Sequence, residues 1–199
     1  MNILEMLDGV IRKPVSALNA IAREKPVGWA LGIFAAATLL NSLTADYAAM
    51  EELFDLQAIA PYMAVVQVIS ALAGLFVSTG ILYLLSLIFK GSGSFWSLFS
   101  ALGFAQFPIF LNPIGALLGK VGGVAAALGG LLTFGVGIWV MVLNVIALRE
   151  SRSITTGASI GVYLIIIFTI GIVVTAVAVM FILAMGGAGG LHVGEAFFT

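Results

Sequence analysis

The chain has 199 residues, of which 62% are hydrophobic and only 9% charged, and its mean hydropathy is +1.21. A water-soluble domain of this length carries far more charge, so this composition excludes one. A net charge of −1 gives no basic field for nucleic acid, and the absence of cysteine removes disulfides, thiolate catalysis and thiolate-bound metals.

Residues 1–25 come first as a mixed polar and apolar segment. Ile3, Leu4, Leu7, Val10, Ile11, Val15, Leu18 and Ile21 recur at three- and four-residue steps, with Glu5, Asp8, Arg12, Lys13 and Arg23 between them. One apolar stripe with basic flanks fits a helix lying in the membrane interface, and equally one packed on the cytoplasmic end of the protein's own bundle. Pro14 interrupts it. An apolar run that begins only at Val27 stands too far from the start for a secretory signal, so Val27–Leu43 is read as a retained span.

From Pro26 onward the charges retreat into narrow gaps. The uncharged stretches are 26–45, 56–89, 91–119, 121–148 and 153–194. A bilayer core of roughly 30 Å needs about 20 helical residues, and each stretch is long enough. Backbone polar groups in lipid must be satisfied internally, which leaves helices or a closed barrel. Runs such as Leu82–Leu85 and Leu164–Phe168 are apolar on every face and lack the alternation of barrel strands. The expectation is an all-α membrane protein: a five-helix transmembrane domain over 26–190, with spans near 27–43, 59–89, 95–118, 124–148 and 160–185, and a short tail at 191–199.

The connectors carry the polar signals. Asp46, Glu51, Glu52 and Asp55 follow span one; too few oxygens gather there for calcium, and a solvated loop is expected. Lys90-Gly91-Ser92-Gly93-Ser94 is a tight turn by composition, with Gly91 and Gly93 as the turn motif. Span three contains Pro108 and Pro113, each of which removes a backbone donor, so a kinked or broken helix is expected with freed carbonyls in need of partners. Gln106, Pro108, Asn112 and, from span four, Asn144 form the candidate polar intramembrane site. It is either a binding or permeation site at a discontinuous helix or a structural kink repaired by amides; the structural kink is favoured because broken-helix sites usually come in pairs. Gly115, Gly119 and Gly123 repeat every four residues, a spacing that lets helices pack closely, and this face is expected to pack against another helix within the bundle or across a dimer.

Orientation follows from basic residues. With five spans, Arg12, Lys13, Arg23, Lys25, Lys90, Arg149 and Arg152 share one side and Lys120 stands alone on the other. That asymmetry puts the N-terminus in the cytoplasm and the C-terminus outside. Chemistry is sparse. His192 lies in the tail with Glu195 as its one acidic neighbour in sequence, too few ligands for a metal. No uncharged run hides an acid for a proton relay. Asn41, Gln67, Ser70, Ser78, Thr79, Ser86, Ser100, Thr133, Thr169 and Thr175 complete the neutral polar set inside the spans, where stitching helices together is the default role. No cofactor is expected.

Four stretches resemble the Yip-type membrane family (Ypt-interacting proteins), and its short bacterial members in particular. They are the Pro14-containing amphipathic segment, Tyr83-Leu84-Leu85 through Phe89-Lys90-Gly91-Ser92-Gly93-Ser94-Phe95, Gly103-Phe104-Ala105-Gln106-Phe107-Pro108, and Trp139 with Leu143-Asn144-Val145-Ile146-Ala147-Leu148-Arg149-Glu150. The resemblance implies a polytopic membrane fold, residence in a bacterial inner membrane and no catalytic residues. Eukaryotic relatives act in vesicle traffic and bind prenylated Rab-type GTPases, and carry an Asp-Leu-x-Gly-Pro motif before the first span. This chain reads Lys25-Pro26-Val27-Gly28-Trp29 there, so small-GTPase binding is not carried over. The expected role is a scaffold or adaptor working with membrane lipids, a second copy or other membrane proteins. The alternative is a small channel, transporter or lipid-translocating protein. An intramembrane enzyme lacks a nucleophile–base pair or a metal set.

Overall fold

The computed structural model describes residues 2–44 and 60–190; the acidic connector at 46–55 and the tail with His192 lie outside them. The chain forms two compact units, residues 1–160 and 161–199. Among the described residues all regular structure is helical.

Pro14 divides the N-terminal segment. Helix α1 covers Ile3–Arg12 and α2 covers Pro14–Glu24, with the proline in the first turn of α2, where its missing N–H costs nothing. The Asn2 backbone N–H donates to Glu5 Oε2 at 3.2 Å, which fastens the start of α1. Lys25 ends α2 in the left-handed region at φ 52°. Met6, Val10, Ala17, Leu18, Ile21 and Ala22 are buried, so one face of each helix is packed on protein.

The spans follow: α3 at Val27–Thr44 and α4 at Ala60–Ile88. The third stretch is broken into α5 at Phe95–Ala105, a 3-10 segment at Phe107–Leu111, and α6 at Asn112–Val121. Helix α7 covers Gly123–Arg152 and α8 covers Thr156–Gly190. Among the described residues four stretches are long and apolar enough to cross a membrane: Val27–Thr44, Tyr62–Ile88, Phe95–Val121 and Gly123–Arg152. The described apolar part of α8 that can be measured this way, Thr156–Thr169, is shorter.

Helix α5 is the centre of the first unit. Its residues Ser97–Ala105 are all buried, because α2, α3, α4 and α7 surround it. Ser94 caps it, accepting the Ser97 N–H at 3.2 Å. The close approach of α3 depends on Gly103: a Cβ there would sit 2.8 Å from the Ala30 Cβ. On the side of α4, Phe76, Phe95, Trp96 and Phe99 form an aromatic cluster with ring centroids as close as 5.1 Å. Outward from this centre, large side chains such as Leu39, Leu40, Val65, Ile69, Leu128 and Phe134 are exposed, as expected of surfaces whose solvent is lipid.

Candidate functional site

The end of the bundle that gathers the basic residues is heavily cross-linked. Arg152, the last residue of α7, is 1% exposed. In place of a carboxylate, its guanidinium has a cage of oxygens. Nε donates to Ser86 Oγ at 2.7 Å, one terminal nitrogen donates to the Gly91 carbonyl at 2.8 Å, and the other to the Gly93 carbonyl. The ring of Tyr83 lies 4.2 Å from Cζ. In return, the Ser92 N–H donates to the Arg152 carbonyl at 2.8 Å. The planar fork of arginine satisfies several carbonyls at fixed angles, which the single ammonium of a lysine cannot do.

This cage explains both turn glycines. A Cβ on Gly91 would stand 2.8 Å from the Ser86 carbonyl oxygen, and Gly93, at φ 99°, would drive its Cβ into the Ser151 carbonyl. The motif is therefore a clamp between α4, α5 and the end of α7, a stricter role than the turn its composition predicts. In the sequence Arg152 counts only among the basic residues that set the orientation; in the structure it is buried, because the adjacent turn supplies carbonyls for its guanidinium. The one hint in the sequence is Gly-x-Gly shortly after Ser86, and it names no partner.

The N-terminal helices dock onto the same end. Ser97 Oγ in α5 donates to the Ala22 carbonyl in α2 at 2.6 Å, and Asn19 Nδ2 donates to Glu150 Oε2 at 2.7 Å. Glu150 also pairs with Arg149 at 2.6 Å, and Arg149 donates to Thr156 Oγ1 at 3.1 Å. Of the two sequence readings for the amphipathic segment, packing on the bundle's own end describes its buried face. Leu4, Ile11 and Val15 remain exposed on the other side, next to Arg12 and Lys13.

The candidate intramembrane quartet is divided by the break in span three. Gln106 caps α5, and its Nε2 donates to Asn144 Oδ1 in α7 at 3.0 Å. This amide pair ties the break to the neighbouring helix. Pro108 is buried within the 3-10 segment, and Pro113 sits in the first turn of α6. Asn112 does not join the pair. It opens α6 on a different surface, where its Oδ1 is buried and has no hydrogen-bond partner among the described residues. Six residues of tight helix carry Asn112 past the Gln106 contact and round to α3, α4 and α7.

There it lines an open cavity of about 720 Å³ with Asn41, Thr44, Gln67 and Thr133. The floor is small: Gly115, Ala116, Gly119, Ala126, Gly129 and Gly130. Among the described residues the glycine repeat makes a close contact at one of its three positions. Helices α6 and α7 approach closely at Gly115 and Gly129, where a Cβ on Gly115 would lie 2.9 Å from the Gly129 carbonyl oxygen. At Gly119 and Gly123 a Cβ would meet nothing within 4 Å, so among the described residues neither is a packing contact. Gly123 instead takes part in the turn from α6 to α7, with Gly122 at φ 82° and Gly123 at φ 56°.

Several hydroxyls that read as helix glue are spent locally: Ser78, Thr79, Ser86 and Thr169 donate to carbonyls three or four residues back in their own helices, as do Thr38 and Ser151. Among the described residues no group of three or more His, Cys, Asp or Glu is placed to hold a metal.

Residues 9–189 match the family model of the Yip1 domain. No curated protein and no solved structure gives a match.

Proposed function

The chain belongs to the Yip1-domain family of integral membrane proteins, and on that premise we propose that it is a non-enzymatic membrane scaffold or adaptor that organises lipids and partner membrane proteins. The observation that carries this reading is the docked basic end. Ser97–Ala22 and Asn19–Glu150 hold α2 against the bundle, and the Arg152 cage fixes the turn beside it. The result is a rigid platform that keeps Leu4, Ile11 and Val15 exposed beside two cations. Such a face suits the headgroup boundary of a membrane, with apolar side chains inserted and Arg12 and Lys13 near lipid phosphates.

We further propose five crossings, α8 being the fifth, with the platform in the cytoplasm and the C-terminus outside. The basic asymmetry supports that orientation, and a bacterial inner membrane is its natural setting. A second copy or another membrane protein is the partner class in view; the departure at Lys25–Trp29 argues against a small GTPase.

One observation favours a second reading, lipid translocation or a small channel: the broken third span beside a polar cavity. The deciding experiment reconstitutes the protein in vesicles with a fluorescent lipid in both leaflets and a membrane-impermeant quencher outside. A scaffold leaves the quenched fraction equal to that of protein-free vesicles. A photo-crosslinker at position 4 or 11 then reports lipid or protein adducts. Excess quenching, or the absence of any adduct at both positions, overturns the scaffold assignment.

A further inference from the structure

Helix α1 divides its surface into sectors of different chemistry. Met6 and Val10 are buried, on a helix that packs against α2, α5 and the 3-10 segment. Gly9 faces α2, where a Cβ would stand 2.9 Å from the Ala17 Cβ. Asp8 and Arg12 pair at 2.7 Å with side chains 61% and 76% exposed, which marks a sector in contact with water. Leu4, Leu7 and Ile11 recur at steps of three and four and make the last sector. Leu7 is half-buried, while Leu4 and Ile11 are 69% and 54% exposed. An apolar ridge beside a charged sector, on a helix held by protein along the rest of its girth, is the pattern of a helix at a membrane surface.

The depth of the ridge follows from the span beside it. Gln106, at the end of α5, bonds Asn144, and Asn144 stands five residues before Arg149, about 8 Å along the axis of α7. The 3-10 segment on which α1 packs begins at the next residue, Phe107, and its Leu111 is exposed. A lipid-facing surface therefore adjoins α1, inside the charged end of the bundle by about the 5–10 Å to which interfacial helices bury their apolar face. Charge says what draws the ridge in. Glu5 and Asp8 cancel Arg12 and Lys13, so an anionic leaflet gains little hold on the helix. Apolar insertion is left as the driving term, and it needs room between headgroups, which convex curvature opens.

We infer that α1 is a wedge in the single leaflet at the basic end, and that it gathers the protein on membrane convex on that side. The ridge of Leu4, Leu7 and Ile11 enters between the glycerol and upper acyl regions of the lipids and requires no anionic headgroup. This deepens the scaffold reading, and rests on it for the premise that the exposed face of the platform meets lipid.

The test reconstitutes the full chain carrying Ser92→Cys in giant vesicles of phosphatidylcholine and labels it with an impermeant dye from outside. Ser92 is exposed in the turn at the basic end, so only molecules with that end outward are seen. A membrane tube is pulled outward, and the ratio of protein to lipid dye on the tube is divided by that on the vesicle body. The quotient should exceed unity, rise as the tube narrows, and stay the same when phosphatidylglycerol is added or salt is raised. Leu4→Gln with Ile11→Gln removes the ridge at two exposed positions with a good helix former and should return the quotient to unity. Leu4→Phe with Ile11→Phe enlarges the ridge and should raise it, which keeps the test decisive for a glutamine chain that does not fold. A parent quotient at unity, a quotient unmoved by both pairs of substitutions, or enrichment only with phosphatidylglycerol at low salt overturns the wedge. So does crosslinking from positions 4 and 11 to protein alone. Lipid adducts at those positions with a quotient at unity remove the wedge and leave the scaffold reading standing, whereas the absence of any adduct removes both.

Discussion

Replacing Arg152 with alanine tests the clamp directly. The guanidinium makes three hydrogen bonds, to Ser86, Gly91 and Gly93, and stacks on Tyr83. Bonds of this kind to a charged donor are worth about 1.5–3 kcal/mol each in isolation, and the ring contact about 1 kcal/mol. Against that stands the desolvation of a buried cation, several kcal/mol. Once the side chain is gone, Ser86 keeps its own bond to the Tyr83 carbonyl at 2.6 Å, and the exposed Gly93 carbonyl is partly rehydrated. The principal losses are the paired turn carbonyls and the ring contact, about 1 kcal/mol each, so the net destabilisation is about 3 kcal/mol, or roughly 150-fold in the folding equilibrium. Arg152→Lys keeps the charge but not the fork and should lose about half as much. Equilibrium unfolding in mixed micelles, titrated with a denaturing detergent and followed by tryptophan fluorescence, measures both. A double-mutant cycle with Ser86→Ala should give a coupling of about 1 kcal/mol, because the two side chains share a bond. If Arg152→Ala unfolds within about 0.5 kcal/mol of the parent, the range of an ordinary surface substitution, the clamp does not hold the turn.

Three other outcomes follow from the same geometry. In a chain with no native cysteine, single cysteines at 90 and 149 should label only from the cytoplasmic side of oriented vesicles and one at 120 only from the other; the reverse pattern at 120 removes the proposed orientation. Gly115→Ala should destabilise by about 1–3 kcal/mol through collision with the Gly129 backbone and Thr133, whereas Gly119→Ala should change the melting temperature little; equal effects at the two positions contradict the packing described. Ser97→Ala combined with Asn19→Ala removes two ties of α2 and should cost about 1–3 kcal/mol, raising protease cleavage between residues 1 and 25 before the spans unfold; unchanged cleavage means the N-terminal helices are held by apolar burial alone.

The sequence determined the class of this protein. Uncharged runs of twenty residues or more leave no environment but lipid, and lipid leaves the backbone little choice but helix, the form taken by α3, α4 and α7. Breaks were legible for the same reason, since proline and glycine act on the backbone at their own positions: Pro14 splits the N-terminal segment, Pro108 marks the 3-10 interruption, and Gly91–Gly93 makes the turn. Partnerships were not legible. Nothing local tells Arg152 that the carbonyls of residues 91 and 93 will be its solvent, or Gln106 that Asn144, 38 positions away, will accept its hydrogen bond. A four-residue glycine spacing describes one face of one helix, but whether that face meets a backbone, as at Gly115, or open space, as at Gly119, depends on where the neighbouring helix crosses. Side-chain direction at Asn112 is likewise set by the turns of helix that follow the break, and it moved this residue from a repaired kink to the wall of a cavity. Transfer into lipid is a property of each segment and is summed residue by residue. Which polar group meets which is decided only when the helices cross.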